Sequence, residues 1–127
     1  MLVTYAWVAI GGAIGSMARF WMADVVGALT GPAFPWGTLG INVIGSFAIG
    51  LIYALTGPGG RFDVPSDARI FMMIGLCGGF TTFSSFSLQT LMLLQEGALV
   101  RAGGYILGSV VLCLTFVWVG YLLGAAR

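Results

Sequence analysis

Gly78-Gly79-Phe80-Thr81-Thr82-Phe83-Ser84-Ser85-Phe86-Ser87 is a run of glycine, hydroxyl and aromatic residues inside a segment, residues 70–95, that carries no charge. The segment is long enough to cross a bilayer, which takes about 20 apolar residues in a helix. Its centre, however, combines paired glycines with hydroxyl side chains that compete for backbone hydrogen bonds. Non-helical backbone within a membrane is tolerated only where protein buries it or where it lines a watery path. The sequence therefore predicts a spanning helix that is broken near residues 78–83, with the functional site at the break.

Composition assigns the rest of the chain to the membrane as well. The 127 residues are 59% hydrophobic and 7% charged, and their mean hydropathy is +1.04. One small soluble core cannot bury that much apolar surface. We predict an all-α membrane protein with a single four-helix transmembrane domain over residues 1–127, whose helices are residues 4–22, 37–56, 67–95 and 102–125. The N-terminus lacks the basic region of a removable signal peptide, so we expect the first helix to be retained.

Several function classes lose support from what the sequence lacks. It contains no histidine, no lysine and no GxxxxGK[ST] loop, which argues against nucleotide-driven pumping and most metal chemistry, and we expect no enzyme. A net charge of +1 gives no reason to expect nucleic-acid binding. Cys77 and Cys113 both fall within predicted spans, where packing is the commoner role, and we expect no disulfide.

The arginines give almost no bias to the orientation of the chain in the membrane. Arg61, Arg69 and Arg127 lie at one end of the predicted bundle, and Arg19 and Arg101 lie at the other. Arginine and lysine near helix ends normally set orientation. One interpretation is that two copies insert in opposite directions and form an antiparallel, dual-topology homodimer. The other is that the arginine count does not predict the orientation of this chain. The charges alone leave both interpretations open.

Helical spacing predicts three polar or aromatic faces that converge on one route. They are formed by Thr38, Asn42 and Ser46, by Tyr105, Ser109 and Cys113, and by Phe83 with Phe86. The carboxamide of Asn42 is the costliest of these groups in lipid, because both its oxygen and its nitrogen need partners, and this favours a function. For the hydroxyl residues, contact between helices is the commoner role, and for the two phenylalanines packing and function are balanced. Arg19 is either an interfacial anchor or a cation that draws anions toward a vestibule.

Three motifs carry a resemblance to a known family. They are Gly75-Leu76-Cys77-Gly78-Gly79-Phe80-Thr81-Thr82-Phe83-Ser84-Ser85-Phe86-Ser87, Trp36-Gly37-Thr38-Leu39-Gly40-Ile41-Asn42 and Gly15-Ser16-Met17-Ala18-Arg19. Together with the length and helix count, they resemble the Fluc fluoride channel family over essentially the whole chain. The resemblance implies an antiparallel dual-topology dimer in a prokaryotic inner membrane, with two fluoride pathways and a structural sodium ion at the dimer axis. Its implied role is passive fluoride export that reduces cytoplasmic fluoride toxicity.

The resemblance also implies roles for individual residues. Phe83, Phe86 and Asn42 match pore-lining positions of the family, and Thr38, Tyr105 and Ser109 match its polar pore groups. Gly78 and Thr81 match positions whose backbone carbonyls hold sodium. The chain departs from the family pattern at two places: Gln89 stands where a pore-side glutamate is common, and Cys113 stands where a serine can extend the polar track.

The chemistry of fluoride agrees with such a site. Fluoride is small and strongly hydrated, so a pore must replace its water with convergent hydrogen-bond donors. An aromatic ring adds the positive rim of its quadrupole, and carbonyl oxygens suit a hard cation such as sodium.

Two other classes of protein remain as alternatives. A small dual-topology exporter coupled to protons needs a titratable group inside the membrane, and residues 25–60 and 70–95 contain no carboxylate. A non-transporting assembly subunit would be held together by small-residue packing alone.

Overall fold

The computed structural model describes residues 1–126, which form an up-and-down bundle of four helices and contain no strand. The helices are α1 (Leu2–Thr30), α2 (Trp36–Thr56), α3 (Ser66–Gln95) and α4 (Leu99–Ala125). Short connections at residues 31–35, 57–65 and 96–98 join them. The predicted all-helical class is therefore confirmed.

The predicted end of the first helix is wrong. We expected α1 to end at residue 22, and it continues to Thr30. Arg19 and Asp24 do not stop the helix, because a charged side chain on a helix surface leaves the backbone hydrogen bonds intact. The helix ends at Gly31, whose φ of 76° suits a glycine after the last turn. Pro32 then follows and cannot continue the backbone ladder.

Three of the helices are long and apolar enough to cross a membrane by length and composition: α2, α3 and α4. The first helix has 29 residues but does not belong to this group. Arg19, Asp24 and several small or polar residues dilute its apolar surface.

Glycines let α1 and α3 come into backbone contact. A Cβ atom at Gly15 would lie 2.4 Å from the carbonyl oxygen of Leu76, and one at Gly11 would lie 2.8 Å from that of Phe71. Distances this short exclude any side chain larger than hydrogen. Gly11 and Gly15 therefore mediate a close approach of the two helices, as small residues four apart commonly do in membrane bundles.

A second glycine contact joins α2 to α4, which make the most extensive helix–helix contact of the bundle. A Cβ atom at Gly50 would lie 2.1 Å from the carbonyl oxygen of Val117, and one at Gly120 would lie 2.2 Å from that of Phe47. By contrast, a Cβ atom at Gly104 or Gly108 would meet nothing within 4 Å. Gly104 and Gly108 are four residues apart, like Gly11 and Gly15, but they mediate no close helix contact within residues 1–126.

The third helix changes its backbone conformation along its length. Residues 71–77 form a π-helical stretch, and α-helix resumes over Gly78–Phe80. Thr81 (φ −80°, ψ 156°) and Thr82 (φ −151°, ψ 116°) are extended, and a second helical segment runs over Phe83–Gln95. The Thr82 hydroxyl oxygen accepts a hydrogen bond of 3.1 Å from the Ser85 N–H, which caps the second segment. Below, "the interruption" denotes Thr81 and Thr82.

Candidate functional site

Asn42 on α2 pairs with the backbone of the interruption in both directions. Its Nδ2 donates to the Thr82 carbonyl oxygen at 3.0 Å, and the Thr82 N–H donates to its Oδ1 at 2.8 Å. The carboxamide thus replaces the peptide partner that a continuous helix would supply. Sequence reasoning missed this pairing, although a polar amide next to a broken helix in lipid is the pattern that requires it.

The pairing releases two backbone carbonyls. In a regular helix the Thr82 N–H would donate to the Gly78 carbonyl, and the Ser85 N–H would donate to the Thr81 carbonyl. Here the first donates to Asn42 and the second to the Thr82 hydroxyl. Among residues 1–126, no hydrogen bond reaches the Gly78 or the Thr81 carbonyl oxygen. These are the two carbonyls that the resemblance assigns to sodium.

A cavity of about 380 Å³ opens beside the interruption. Seven of the predicted site residues line it: Asn42, Gly78, Thr81, Phe83, Phe86, Ser109 and Cys113. They come from α2, both segments of α3, and α4. Ser46, the third member of the polar face of α2, lines it as well. The structure therefore brings most of the predicted pore and sodium residues to one place.

Ser109 is the polar residue of this cavity whose hydroxyl oxygen is both buried and without a partner in the described part of the chain. The residue is 7% exposed, and its hydroxyl makes no hydrogen bond to any residue of the described part of the chain. A buried hydroxyl without a partner costs free energy, typically about 1–3 kcal/mol. Other serines and threonines of the bundle, such as Thr90 and Thr115, bond back to the carbonyl four residues earlier. Ser109 thus lines the cavity and holds a buried hydroxyl hydrogen that has no partner.

Two phenylalanine rings stand at the edge of the cavity. The ring centroids of Phe83 and Phe86 are 5.4 Å apart, and their planes make an angle of 47°. Phe86 packs against Tyr105 at 5.0 Å, whereas 78% of Phe83 is exposed. The Phe86 ring is therefore packed within the chain, whereas the Phe83 ring contacts Phe86 but stays largely uncovered by residues 1–126.

Thr38 and Tyr105 do not line this cavity. The three predicted faces therefore do not form one continuous lining. Both bond to Gln89 on the second segment of α3. The Gln89 Nε2 donates to the Thr38 hydroxyl oxygen at 2.9 Å, and the Tyr105 hydroxyl donates to the Gln89 Oε1 at 2.7 Å. Thr38 and Gln89 border a second cavity of about 270 Å³ at the end of the bundle where α2 begins.

Charged groups are scarce around the site. None of the described residues that line the first cavity carries a carboxylate. Arg19 is half-buried on α1, one turn beyond Gly15, and has no hydrogen bond or ion pair within residues 1–126. Over the same residues, no three histidine, cysteine, aspartate or glutamate side chains come close enough together to hold a metal ion. Any cation at this site would therefore have to bind to backbone or hydroxyl oxygens.

Comparison with known proteins gives a consistent result. A family described as CrcB-like protein, Camphor Resistance (CrcB), matches residues 6–121. A protein of Methylocella silvestris named fluoride-specific ion channel FluC is 58% identical over 96% of this chain and 93% of its own length. Proteins of the same name from Paramagnetospirillum magneticum and Opitutus terrae are 55% and 54% identical. These matches cover 94% and 93% of this chain and 94% and 89% of the relatives. The chain therefore belongs to the CrcB-like protein family.

Proposed function

We propose that this protein is a fluoride-selective channel through which fluoride leaves the cell passively, which lowers the toxicity of cytoplasmic fluoride. The relatives that carry the name of fluoride-specific channel match this chain over nearly its whole length. The chain is a multi-pass integral membrane protein of the bacterial plasma membrane, and it is an ion channel and not an enzyme.

The observation that carries the proposal is the composition of the cavity at the interruption. Replacing the water around fluoride takes hydrogen-bond donors, and the lining includes Asn42, whose amide nitrogen has a second hydrogen, and Ser109, whose buried hydroxyl has no partner. Phe83 and Phe86 add rings whose rims are positive. The Cys113 thiol continues the same wall as a weak donor. A site made of donors and ring edges, without a carboxylate, favours an anion.

We further propose that a structural sodium ion binds to the carbonyls of Gly78 and Thr81. Both oxygens lack hydrogen bonds, and carbonyl oxygens are hard ligands that suit a hard cation. Bound there, sodium would supply a positive charge that compensates the two released carbonyl dipoles. Two carbonyls are too few for a complete coordination shell, so the site requires a second copy of the chain.

An antiparallel homodimer would provide that second copy. The single chain leaves Phe83 largely exposed and the cavity open to one side. The arginine count permits insertion in both directions, although Arg127 lies outside the described residues. In this arrangement α1 is the fourth membrane span, because it packs on α3 over its middle and is long enough to cross. Arg19 on that helix would attract anions toward a vestibule, since no partner neutralises it within residues 1–126.

The alternatives fit the site less well. A proton-coupled exporter requires a titratable group on the pathway, and the described lining of the first cavity offers only thiols. A non-transporting assembly subunit would not need a buried hydroxyl that lacks a hydrogen-bond partner, such as that of Ser109 in the lining of the first cavity.

Fluoride efflux from liposomes tests the proposal. We expect purified protein to release trapped fluoride, and to release trapped chloride far more slowly, with protein-free liposomes as the control. Equal efflux of the two anions, or no efflux of either, would contradict it.

A further inference from the structure

Three aromatic side chains line a groove at the end of the bundle where α2 and α4 end. Tyr53 lies near the end of α2, and Trp118 and Tyr121 lie near the end of α4. The Trp118 and Tyr121 rings stack with their centroids 5.5 Å apart, and the centroid of the Tyr53 ring is 6.2 Å from that of Tyr121. Trp118 is 60% exposed and Tyr53 is 52% exposed. Exposed tyrosine and tryptophan near the ends of membrane helices are typical of the level of the lipid headgroups.

Beyond the aromatic residues the groove is apolar. It forms a cavity of about 510 Å³, and its other lining residues are Ile49, Gly50, Met73 and Val117. Ile49 also borders the cavity at the interruption, so the groove runs from the headgroup level toward the middle of the bundle. None of the described residues that line it is charged. Such a groove suits an acyl chain, which fills apolar space and leaves no polar group unpaired.

A smaller cavity of about 260 Å³ adjoins the groove and contains a cation. It shares Tyr53 and Tyr121 with the groove, and its lining also includes Gly57 and Arg61 of the α2–α3 connection. Arg61 is exposed and donates a hydrogen bond to the Ala126 carbonyl oxygen. The described lining residues of this cavity include no carboxylate. A positive charge therefore lies next to an apolar groove.

A second arginine reaches the same cavity from α3. The Arg69 Nε donates to the Thr56 hydroxyl oxygen at 3.3 Å, and the guanidinium carbon lies 5.4 Å from the centroid of the Tyr53 ring. A Cβ atom at Gly57 would lie 3.7 Å from the Arg69 Nη2, which places this nitrogen near the cavity wall. In the described part of the chain, neither Arg61 nor Arg69 makes an ion pair. Guanidinium groups bind phosphate oxygens through paired N–H donors.

We propose that the two cavities bind one anionic phospholipid, with its phosphate against Arg61 and Arg69 and an acyl chain in the aromatic groove. The ligand is amphipathic because the two cavities adjoin, and it is anionic because both arginines lack a carboxylate partner. Asp63 and Asp67 lie at the same end of the bundle, but neither lines either cavity. Basic pockets between membrane helices bind anionic headgroups in other proteins. The inference does not depend on fluoride conduction.

Lipid binding to the purified protein tests the inference. Phosphatidylglycerol is the anionic probe, and phosphatidylcholine with the same acyl chains is the comparison without net charge, each added to the protein in detergent micelles. Native mass spectrometry counts the lipids that the protein retains, and gel filtration checks assembly. Arg61→Gln and Arg69→Gln each remove one positive charge. Arg101→Gln is the matched control, because Arg101 is exposed at the opposite end of the bundle and lines neither cavity.

We expect the wild-type protein to retain phosphatidylglycerol in preference to phosphatidylcholine. Arg61→Gln and Arg69→Gln should each weaken phosphatidylglycerol binding about fivefold, which corresponds to about 1 kcal/mol for one arginine. Arg101→Gln should leave this binding unchanged. Trp118→Leu should weaken it as well, because the groove loses part of its wall. Inorganic phosphate in large excess should not displace the lipid, since it cannot fill the groove.

Equal retention of the two lipids, or equal binding of phosphatidylglycerol by the wild-type protein and both arginine variants, would overturn the inference. An equal loss in Arg101→Gln would do the same, because it would show attraction by overall charge. Displacement by inorganic phosphate would identify a simple anion site instead. Loss of the dimer in Trp118→Leu with unchanged lipid binding would identify the groove as a contact between two copies. If Arg69→Gln fails to assemble, Arg61→Gln decides alone, because Arg61 is exposed.

Discussion

Replacing Asn42 with leucine should destabilise the chain at the interruption of α3. The substitution keeps a side chain of similar size but removes both bonds to Thr82, at 3.0 and 2.8 Å. Thr82 is only 8% exposed, so water cannot readily replace the lost partner. The Thr82 N–H is then left unsatisfied, whereas the Thr82 C=O keeps the first bond of the helical segment that begins at Phe83.

The magnitude follows from that one N–H group. An unsatisfied buried donor costs about 1–3 kcal/mol, so we expect the free energy of unfolding to fall by about 1–3 kcal/mol. Titration with SDS in mixed micelles measures this quantity, and the fluorescence of the four tryptophans reports unfolding. Asn42→Asp should lose less stability, because its carboxylate still accepts from the Thr82 N–H. It should nevertheless abolish fluoride efflux, since a negative charge in the cavity repels the anion.

Ser46→Ala is the matched control for this prediction. Ser46 lies one turn further along α2 and lines the same cavity, but it makes no hydrogen bond within the described residues. Its loss should change stability by no more than about 0.5 kcal/mol. If Asn42→Leu proved as stable as Ser46→Ala, the assignment of Asn42 as the partner of the interrupted backbone would be refuted.

Three further predictions concern the rings, the sodium carbonyls and the orientation of the chain. Phe83→Leu and Phe86→Leu keep apolar surface but remove the ring quadrupole. Fluoride efflux should therefore fall about tenfold or more while the gel-filtration profile stays unchanged. Near-normal efflux would mean that the rings serve only in packing. Gly78→Leu should fold, because its Cβ would meet only the Met73 carbonyl at 3.8 Å, but it should show no dimer in cross-linking. Gly15→Leu should unfold, because its Cβ would overlap the backbone of α3. A Gly78→Leu dimer with normal flux would exclude the sodium role. A lysine pair added at either terminus should bias insertion and lower activity, and a terminal tag labelled on one side only in unmodified vesicles would rule out dual topology.

The architecture was predictable because lipid leaves the backbone few choices. Long uncharged segments must be helical to satisfy their own hydrogen bonds, and this fixed the number and order of the helices. The end of α1 was not predictable from charge, since Asp24 lies on the surface of a helix that Gly31 ends. The π-helical stretch over Phe71–Cys77 has no signal in the residue types, because it depends on how α3 fits against the glycines of α1.

The candidate site was predictable as a set of residues but not as a network. Spacing placed Asn42, Ser109 and Phe86 on faces that do meet at one cavity. The partners of each polar group depend on the relative rotation and height of different helices, which periodicity along one helix does not contain. For this reason the bond from Asn42 to the Thr82 backbone, and the bonds of Gln89 to Thr38 and Tyr105, became visible only in the structure.

The central claim is passive conduction that selects fluoride, and the reversal potential of the purified protein in a planar bilayer tests it most directly. The bilayer separates a tenfold gradient of fluoride in a constant background of chloride, with pH equal on both sides. We predict a reversal potential of about 59 mV, the value for a monovalent ion at a tenfold gradient, that does not move when a pH gradient is added. A reversal potential near zero would contradict fluoride selectivity, and one that follows the pH gradient would identify a proton-coupled transporter.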